Sequence, residues 1–183
     1  WFAWIARQVP DERFVDALTE VYQLDPVQAL DALAAIGKPK TIERINGLLE
    51  AQPNADIRRH ALVAISRTDW DGRDGYFSGI AADVKRPTID RVQSLIALGQ
   101  IGRTAETLDL LMNVASGPAQ PMKDLGALAV EHPSNDLRSP AVLAVMLRGD
   151  LDAVRRLIDL ADQPNADPVF AGLVDRHIGA FMG

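Results

Sequence analysis

The 183-residue chain has no cysteine. That excludes a disulfide framework, a thiolate metal site and a cysteine nucleophile, and it suits cytoplasm and periplasm equally, so the compartment stays open. No apolar run is long enough to span a bilayer. The opening Trp1-Phe2-Ala3-Trp4-Ile5-Ala6-Arg7 has no basic stretch ahead of an apolar one, so neither a transmembrane helix nor a signal peptide is read from it. Positive charge is short: 19 Lys and Arg face 25 Asp and Glu, for a net charge of -6 and a pI near 5.0. Such a balance repels a phosphate backbone. Arg58-Arg59, Lys85-Arg86 and Arg155-Arg156 are adjacent basic pairs, but they are scattered and each has acidic neighbours, so the electrostatic footprint of a nucleic-acid binder is missing.

Catalytic and metal motifs are equally scarce. His60, His132 and His177 stand far apart, and none lies in a spacing that sets two ligands on one helix face. Gly99-Gln100-Ile101-Gly102 lacks the Lys-Ser/Thr and the preceding strand of a phosphate-binding loop. Ser78, within Gly75-Tyr76-Phe77-Ser78-Gly79, stands one position late for a nucleophile elbow. No strand pattern occurs anywhere. Asp69, Asp71 and Asp74 offer three carboxylates beside two glycines, a composition that suits calcium. Arg73 and Ile80 occupy positions where an EF-hand needs ligands, however, and the alternative is a solvated turn whose aspartates cap a helix beginning near Tyr76. No resident cofactor or metal is expected.

What the chain does contain is a repeat. Val27-Gln28-Ala29-Leu30-Asp31-Ala32-Leu33-Ala34-Ala35-Ile36-Gly37 aligns without a gap on Val92-Gln93-Ser94-Leu95-Ile96-Ala97-Leu98-Gly99-Gln100-Ile101-Gly102. Arg58 to Ser66 lies halfway, placing equivalent alanines at 32, 64 and 97. Ala141 to Gly149 repeats the pattern, and Asp167 to Gly179 echoes Asp25 to Gly37. The link Gln52-Pro53-Asn54-Ala55-Asp56 recurs as Gln163-Pro164-Asn165-Ala166-Asp167. Within a unit, Asp then Pro opens an apolar helix A, as in Asp25-Pro26 and Asp167-Pro168. Gly37, Gly102 and Gly149 are expected to close it with positive φ. Helix B follows, with Ile42, Ile45, Leu48 and Leu49 or Val154, Leu157, Ile158 and Ala161 inward.

Arg91-Val92-Gln93-Ser94-Leu95-Ile96-Ala97-Leu98-Gly99-Gln100-Ile101-Gly102 resembles the repeat of HEAT proteins, in particular the short bacterial HEAT-like type of phycobilisome lyases. The resemblance covers nearly the whole chain. It implies an all-α, right-handed α-α superhelix (solenoid) of about five helical hairpins, one domain over residues 1–183. HEAT-like di-iron hydroxylases carry His-Glu dipeptides, and this chain has none. HEAT-like DNA glycosylases have a basic concave face, which is missing here.

Two departures from the repeat are expected. Thr68 to Gly75 forms a longer, acidic, glycine-containing loop. Between Ala97 and Ala144 a surplus holds a short extra helix, Met122 to Glu131. A rival parse makes that stretch helix A and Leu137 to Arg148 helix B, but the first keeps the two Gln-Pro-Asn-Ala-Asp links equivalent. Both ends of the chain read as cut from something larger.

The resulting expectation is a non-enzymatic protein-interaction or scaffold module, partnered by a protein or larger assembly and by no nucleic acid or membrane. The runner-up is a chaperone-like factor that holds a cofactor or client protein, and a lower reading is an enzyme with an unrecognised site at the acidic loop. The solvent face of successive B helices presents Glu43, Arg44 and Glu50, then Asp109 and Asn113, then Asp152, Arg155, Arg156 and Asp159, with Arg13, Asp16 and Glu20 before them. It is mixed in sign and nearly free of aromatics, so a solvated face is its plainest reading. Tight-contact anchors are instead sought at Trp70, Tyr76 and Phe77, or at Trp1, Phe2 and Trp4, whose rings either cap the core or pack on a partner.

Overall fold

The computed structural model describes residues 1–123 and 135–182. The expected Met122 to Glu131 helix falls largely outside the described residues. Among them are eleven α-helices, one short 3-10 turn at Glu12–Phe14, and no strand. The helices are α1 (Phe2–Gln8), α2 (Val15–Val21), α3 (Pro26–Ile36), α4 (Pro39–Glu50), α5 (Ala55–Ser66), α6 (Arg73–Ala82), α7 (Thr88–Ile101), α8 (Ala105–Ser116), α9 (Arg138–Leu147), α10 (Leu151–Ala161) and α11 (Pro168–Met182). The chain is all-α. It divides into two compact units, Trp1–Arg73 and Asp74–Gly183.

In the first unit α3 is the hub, packing on α1, α2, α4 and α5. Its entry follows from sequence: the Asp25 carboxylate accepts the Gln28 backbone N–H at 3.1 Å, and Pro26 supplies a first-turn residue with no N–H to satisfy. Its exit is Gly37 at φ 65, where a Cβ would also lie 2.7 Å from Thr68 Cγ2. In the second unit α9 is the hub, packing on α7, α8, α10 and α11. Asp150 caps α10 and Asp167 caps α11 through the same kind of carboxylate acceptor.

The repeat-equivalent alanines, Ala32, Ala64, Ala97 and Ala144, are all buried. Small residues at these places let helices approach closely. At Gly99 a Cβ would lie 2.5 Å from the Ala144 carbonyl oxygen and 2.6 Å from its Cα, so α7 and α9 meet backbone to backbone. Arginines at equivalent positions are also partly or wholly buried. Arg58 Nη1 donates to the carbonyls of Leu49 and Gln52 past the end of α4, and Arg91 Nε donates to the Ala81 carbonyl at 3.0 Å at the end of α6. Each thus binds carbonyls in or just past the last turn of the preceding helix, where the regular hydrogen-bond ladder ends. Burial holds the Arg91 guanidinium below its usual pKa. Arg138, next in the series, is bound instead to Asp136 at 2.7 Å and Asp167 at 3.2 Å.

Two local expectations are corrected. Gly102 has φ -65 and ψ 127, an extended conformation, unlike Gly37 and Gly149. Glycine is required there by crowding, since a Cβ would lie 2.4 Å from Thr107 Cγ2 and 2.8 Å from the Leu98 carbonyl oxygen. The Gly102 carbonyl meanwhile accepts from Arg148 Nη1 at 2.6 Å. The helix after the acidic loop begins at Arg73, not near Tyr76. Arg73 Nη1 donates to the Thr68 carbonyl at 3.0 Å, which closes the turn three residues earlier than expected.

Candidate functional site

Helix α1 is amphipathic with its sizes reversed. Ala3 and Ala6, three residues apart, form the face turned to α3 and are buried, which leaves the large side chains outside. Trp1 is 97% exposed, Trp4 54% and Ile5 47%. Trp1 and Trp4 meet edge to face with centroids 6.3 Å apart, and Phe2 meets Phe14 in the same manner at 5.5 Å. These rings border a groove of about 730 Å³ lined by Trp1, Phe2, Trp4, Val21, Asp25 and Gln28, with Ala3 at its floor. Leu24 and Val27, at the α2–α3 junction, are exposed beside it. The groove falls within the size range of ligand sites, and its walls are apolar with one carboxylate and one amide.

The expected B-helix positions are exposed as anticipated. In the first unit Glu43 and Arg44 line a second groove of about 480 Å³ with Val15, Lys40, Gly47 and Leu48, and Arg44 pairs with Asp16 at 3.1 Å. In the second unit Asp109, Arg155 and Arg156 are exposed, and Arg155 leans on Asp152 at 3.4 Å along its own helix. No aromatic side chain joins either set.

The acidic loop gives a different picture from the one expected. Trp70 is only partly exposed, and Asp69 pairs with Arg73 at 3.5 Å. Tyr76 is partly exposed and meets Phe77 edge to face at 5.0 Å. Phe77, read from sequence as a contact anchor, is fully buried on the inner face of α6 and belongs to the core of the second unit. Among the described residues no group of three His, Asp or Glu side chains is gathered to hold a metal, so Asp69, Asp71 and Asp74 form no calcium cage.

Sequence reasoning missed three polar assemblies, because their members are distant in the chain. Asp31 on α3 receives Arg7 Nη1 at 3.3 Å and stands 2.9 Å from His60 Nε2 on α5, joining three helices. Arg138, with a side chain 1% exposed, binds Asp136 and the α11-capping Asp167. Burial works against its charge, but the bonds to those two carboxylates hold its pKa above the usual value. Backbone hydrogen bonding from Phe170, then the bond from Arg138, pulls the Asp167 carboxyl below the ordinary carboxylate range. Ser139 Oγ lies 3.1 Å from His177 Nε2, and Ser139 is buried. His132 lies outside the described residues.

No helix among the described residues is long and apolar enough to cross a membrane. Comparison with known proteins returns no match to a family model, a curated protein or a solved structure.

Proposed function

We propose that the chain is a non-enzymatic protein-interaction module, built of HEAT-like hairpins stacked in a right-handed superhelix, which docks its partner in the aromatic groove beside α1. The reading rests chiefly on the reversed helix α1. A soluble helix ordinarily turns its bulky apolar residues inward, whereas here two alanines face α3 and Trp1, Trp4 and Ile5 face water. A cluster of exposed large apolar groups on the wall of a groove marks an interaction surface, and tryptophan is the residue most enriched where binding energy concentrates.

The stacking part of the reading is supported inside each unit. α3 lies between α1 and α5, and α9 lies between α7 and α11, while the intervening α8 and α10 contact each other. The Arg58 and Arg91 contacts to preceding helix ends recur at the repeat interval. The test is partner capture with two double variants. Trp1→Ala with Trp4→Ala should abolish capture of the natural partner while leaving helical content unchanged. Arg155→Glu with Arg156→Glu should leave capture intact. Retention by the first and loss by the second would move the contact surface to the B helices.

A further inference from the structure

Three steps of the sequence place an Asn or Asp directly before a glycine: Asn46-Gly47, Asp71-Gly72 and Asp74-Gly75. At such a step the glycine backbone nitrogen can attack the side-chain carbonyl carbon and close a five-membered succinimide ring. Glycine favours the attack because it has no Cβ to shield its nitrogen and the widest choice of backbone dihedrals. The fold decides which step can react, since the ring closes only when ψ of the residue ahead of the glycine leaves the helical well.

Two of the three steps are held in helices. Asn46-Gly47 lies inside α4, where the Gly47 N–H belongs to the backbone ladder, and Asp74-Gly75 lies in the first turn of α6. Arg73 fastens that turn by donating from Nη1 to the Thr68 carbonyl at 3.0 Å, and Phe77 anchors the next turn in the core.

Asp71-Gly72 is different. Both residues are exposed and lie outside any helix, and Gly72 takes φ 88. Among the described residues the Asp71 carboxylate has no hydrogen bond or ion pair, and the Gly72 N–H has no acceptor. The residues around the step are tied: Asp69 pairs with Arg73 at 3.5 Å, and the Arg73 N–H reaches the Trp70 carbonyl at 3.4 Å. A free carboxyl and a free amide nitrogen therefore adjoin within a turn whose ends are fastened.

We infer that Asp71-Gly72 is a site of spontaneous backbone modification, at which the folded chain forms isoaspartate. The Gly72 nitrogen bonds to Cγ of the protonated Asp71 carboxyl, and the amide proton and the carboxyl hydroxyl leave together as one water. Water then opens the ring. Cleavage between the Gly72 nitrogen and the Asp71 main-chain carbonyl carbon leaves a main chain that runs through Cβ and Cγ and an α-carboxylate outside it. The product has the mass of the parent and needs no reactant but water. It carries the group that an S-adenosylmethionine-dependent isoaspartyl carboxyl methyltransferase esterifies. The added main-chain carbon also lengthens the path between Trp70 and Arg73, the two residues joined across the turn.

The test ages the whole chain at mildly acidic and neutral pH, folded or in concentrated urea. Isoaspartate is read by labelled-methyl uptake with that methyltransferase, and is located by a protease that cuts before aspartate but not before isoaspartate. Relative to urea, folding should suppress reaction at position 46 at least about tenfold, because α4 must open first, and leave position 71 nearly unsuppressed. Position 74 should fall below 71 in the folded chain. Asp71→Glu, whose ring would need six members, should keep the helical content and remove most of the folded chain's methyl label. Equal suppression at 46 and 71, equal reaction at 71 and 74 in the folded chain, or a label that survives Asp71→Glu would each overturn the assignment.

Discussion

Replacing Gly99 by alanine adds one methyl group where α7 and α9 touch. The added carbon would lie 2.5 Å, 2.6 Å and 2.9 Å from the carbonyl oxygen, Cα and carbonyl carbon of Ala144, all of them backbone atoms. No rotamer change relieves that contact. Helix α9 must move back by most of an ångström, opening gaps along its interfaces with α7 and α8. Overpacking of this kind costs about 1–3 kcal/mol, while exchanging glycine for alanine inside a helix returns about 1 kcal/mol. The net loss of up to about 2 kcal/mol corresponds to a fall in Tm of up to about 8 °C, at about 4 °C per kcal/mol for a unit of this size. Gly79 is the control. It lies within α6 of the same unit, and its added Cβ would meet nothing within 4 Å. Gly79→Ala should therefore raise Tm by a few degrees through helix propensity alone. Circular dichroism melts at 222 nm compare the two variants directly. A Gly99→Ala protein as stable as the Gly79→Ala protein would refute the close approach of α7 and α9.

Phe77→Ala removes a fully buried ring and should cost about 3–5 kcal/mol in urea unfolding, whereas Tyr76→Ala, with its ring partly in solvent, should cost clearly less. Arg138→Leu leaves the nearly buried Asp136 carboxylate without its guanidinium and should destabilise the second unit by about 3–5 kcal/mol, visible in the same titration. The Asp167 carboxyl is depressed in the fold, so its contribution to stability is complete above the unfolded value near 3.8 and is lost as pH falls through the folded value. Acid titration of Asp167→Asn should accordingly show a flatter decline in stability below about pH 4 than the parent chain. Millimolar calcium should leave Tm unchanged, because the loop carboxylates are not gathered around a common point; an upward shift would contradict that geometry.

The helical content was legible in the sequence because periodicity and punctuation agreed. Asp25-Pro26 and Asp167-Pro168 set helix starts that their carboxylates cap as expected, and the alanines at 32, 64 and 97 are buried. The exposed B-helix positions followed from the same 3.6-residue period. What failed depended on side-chain contacts that periodicity and glycine placement do not encode. Gly102 occupies the place of Gly37 in the repeat but answers to the Thr107 side chain instead of to a turn. Phe77 looked like a loop residue because the glycines around it suggested a turn, yet Arg73 bonding to the Thr68 carbonyl starts the helix early and swings the ring inward. The groove itself was half legible. The tryptophans at 1 and 4 announced an aromatic end, but the part played by Asp25, Gln28 and Val21 requires α2 and α3 to fold against α1.

Engagement of a partner protein through the aromatic groove is tested most directly by a photoreactive phenylalanine analogue placed at position 4, at position 43 or at position 155. Mapping the cross-linked peptides by mass spectrometry should give a single partner segment joined at position 4 and no adduct at the other two positions. Adducts at 43 or 155 with none at 4 would contradict the account.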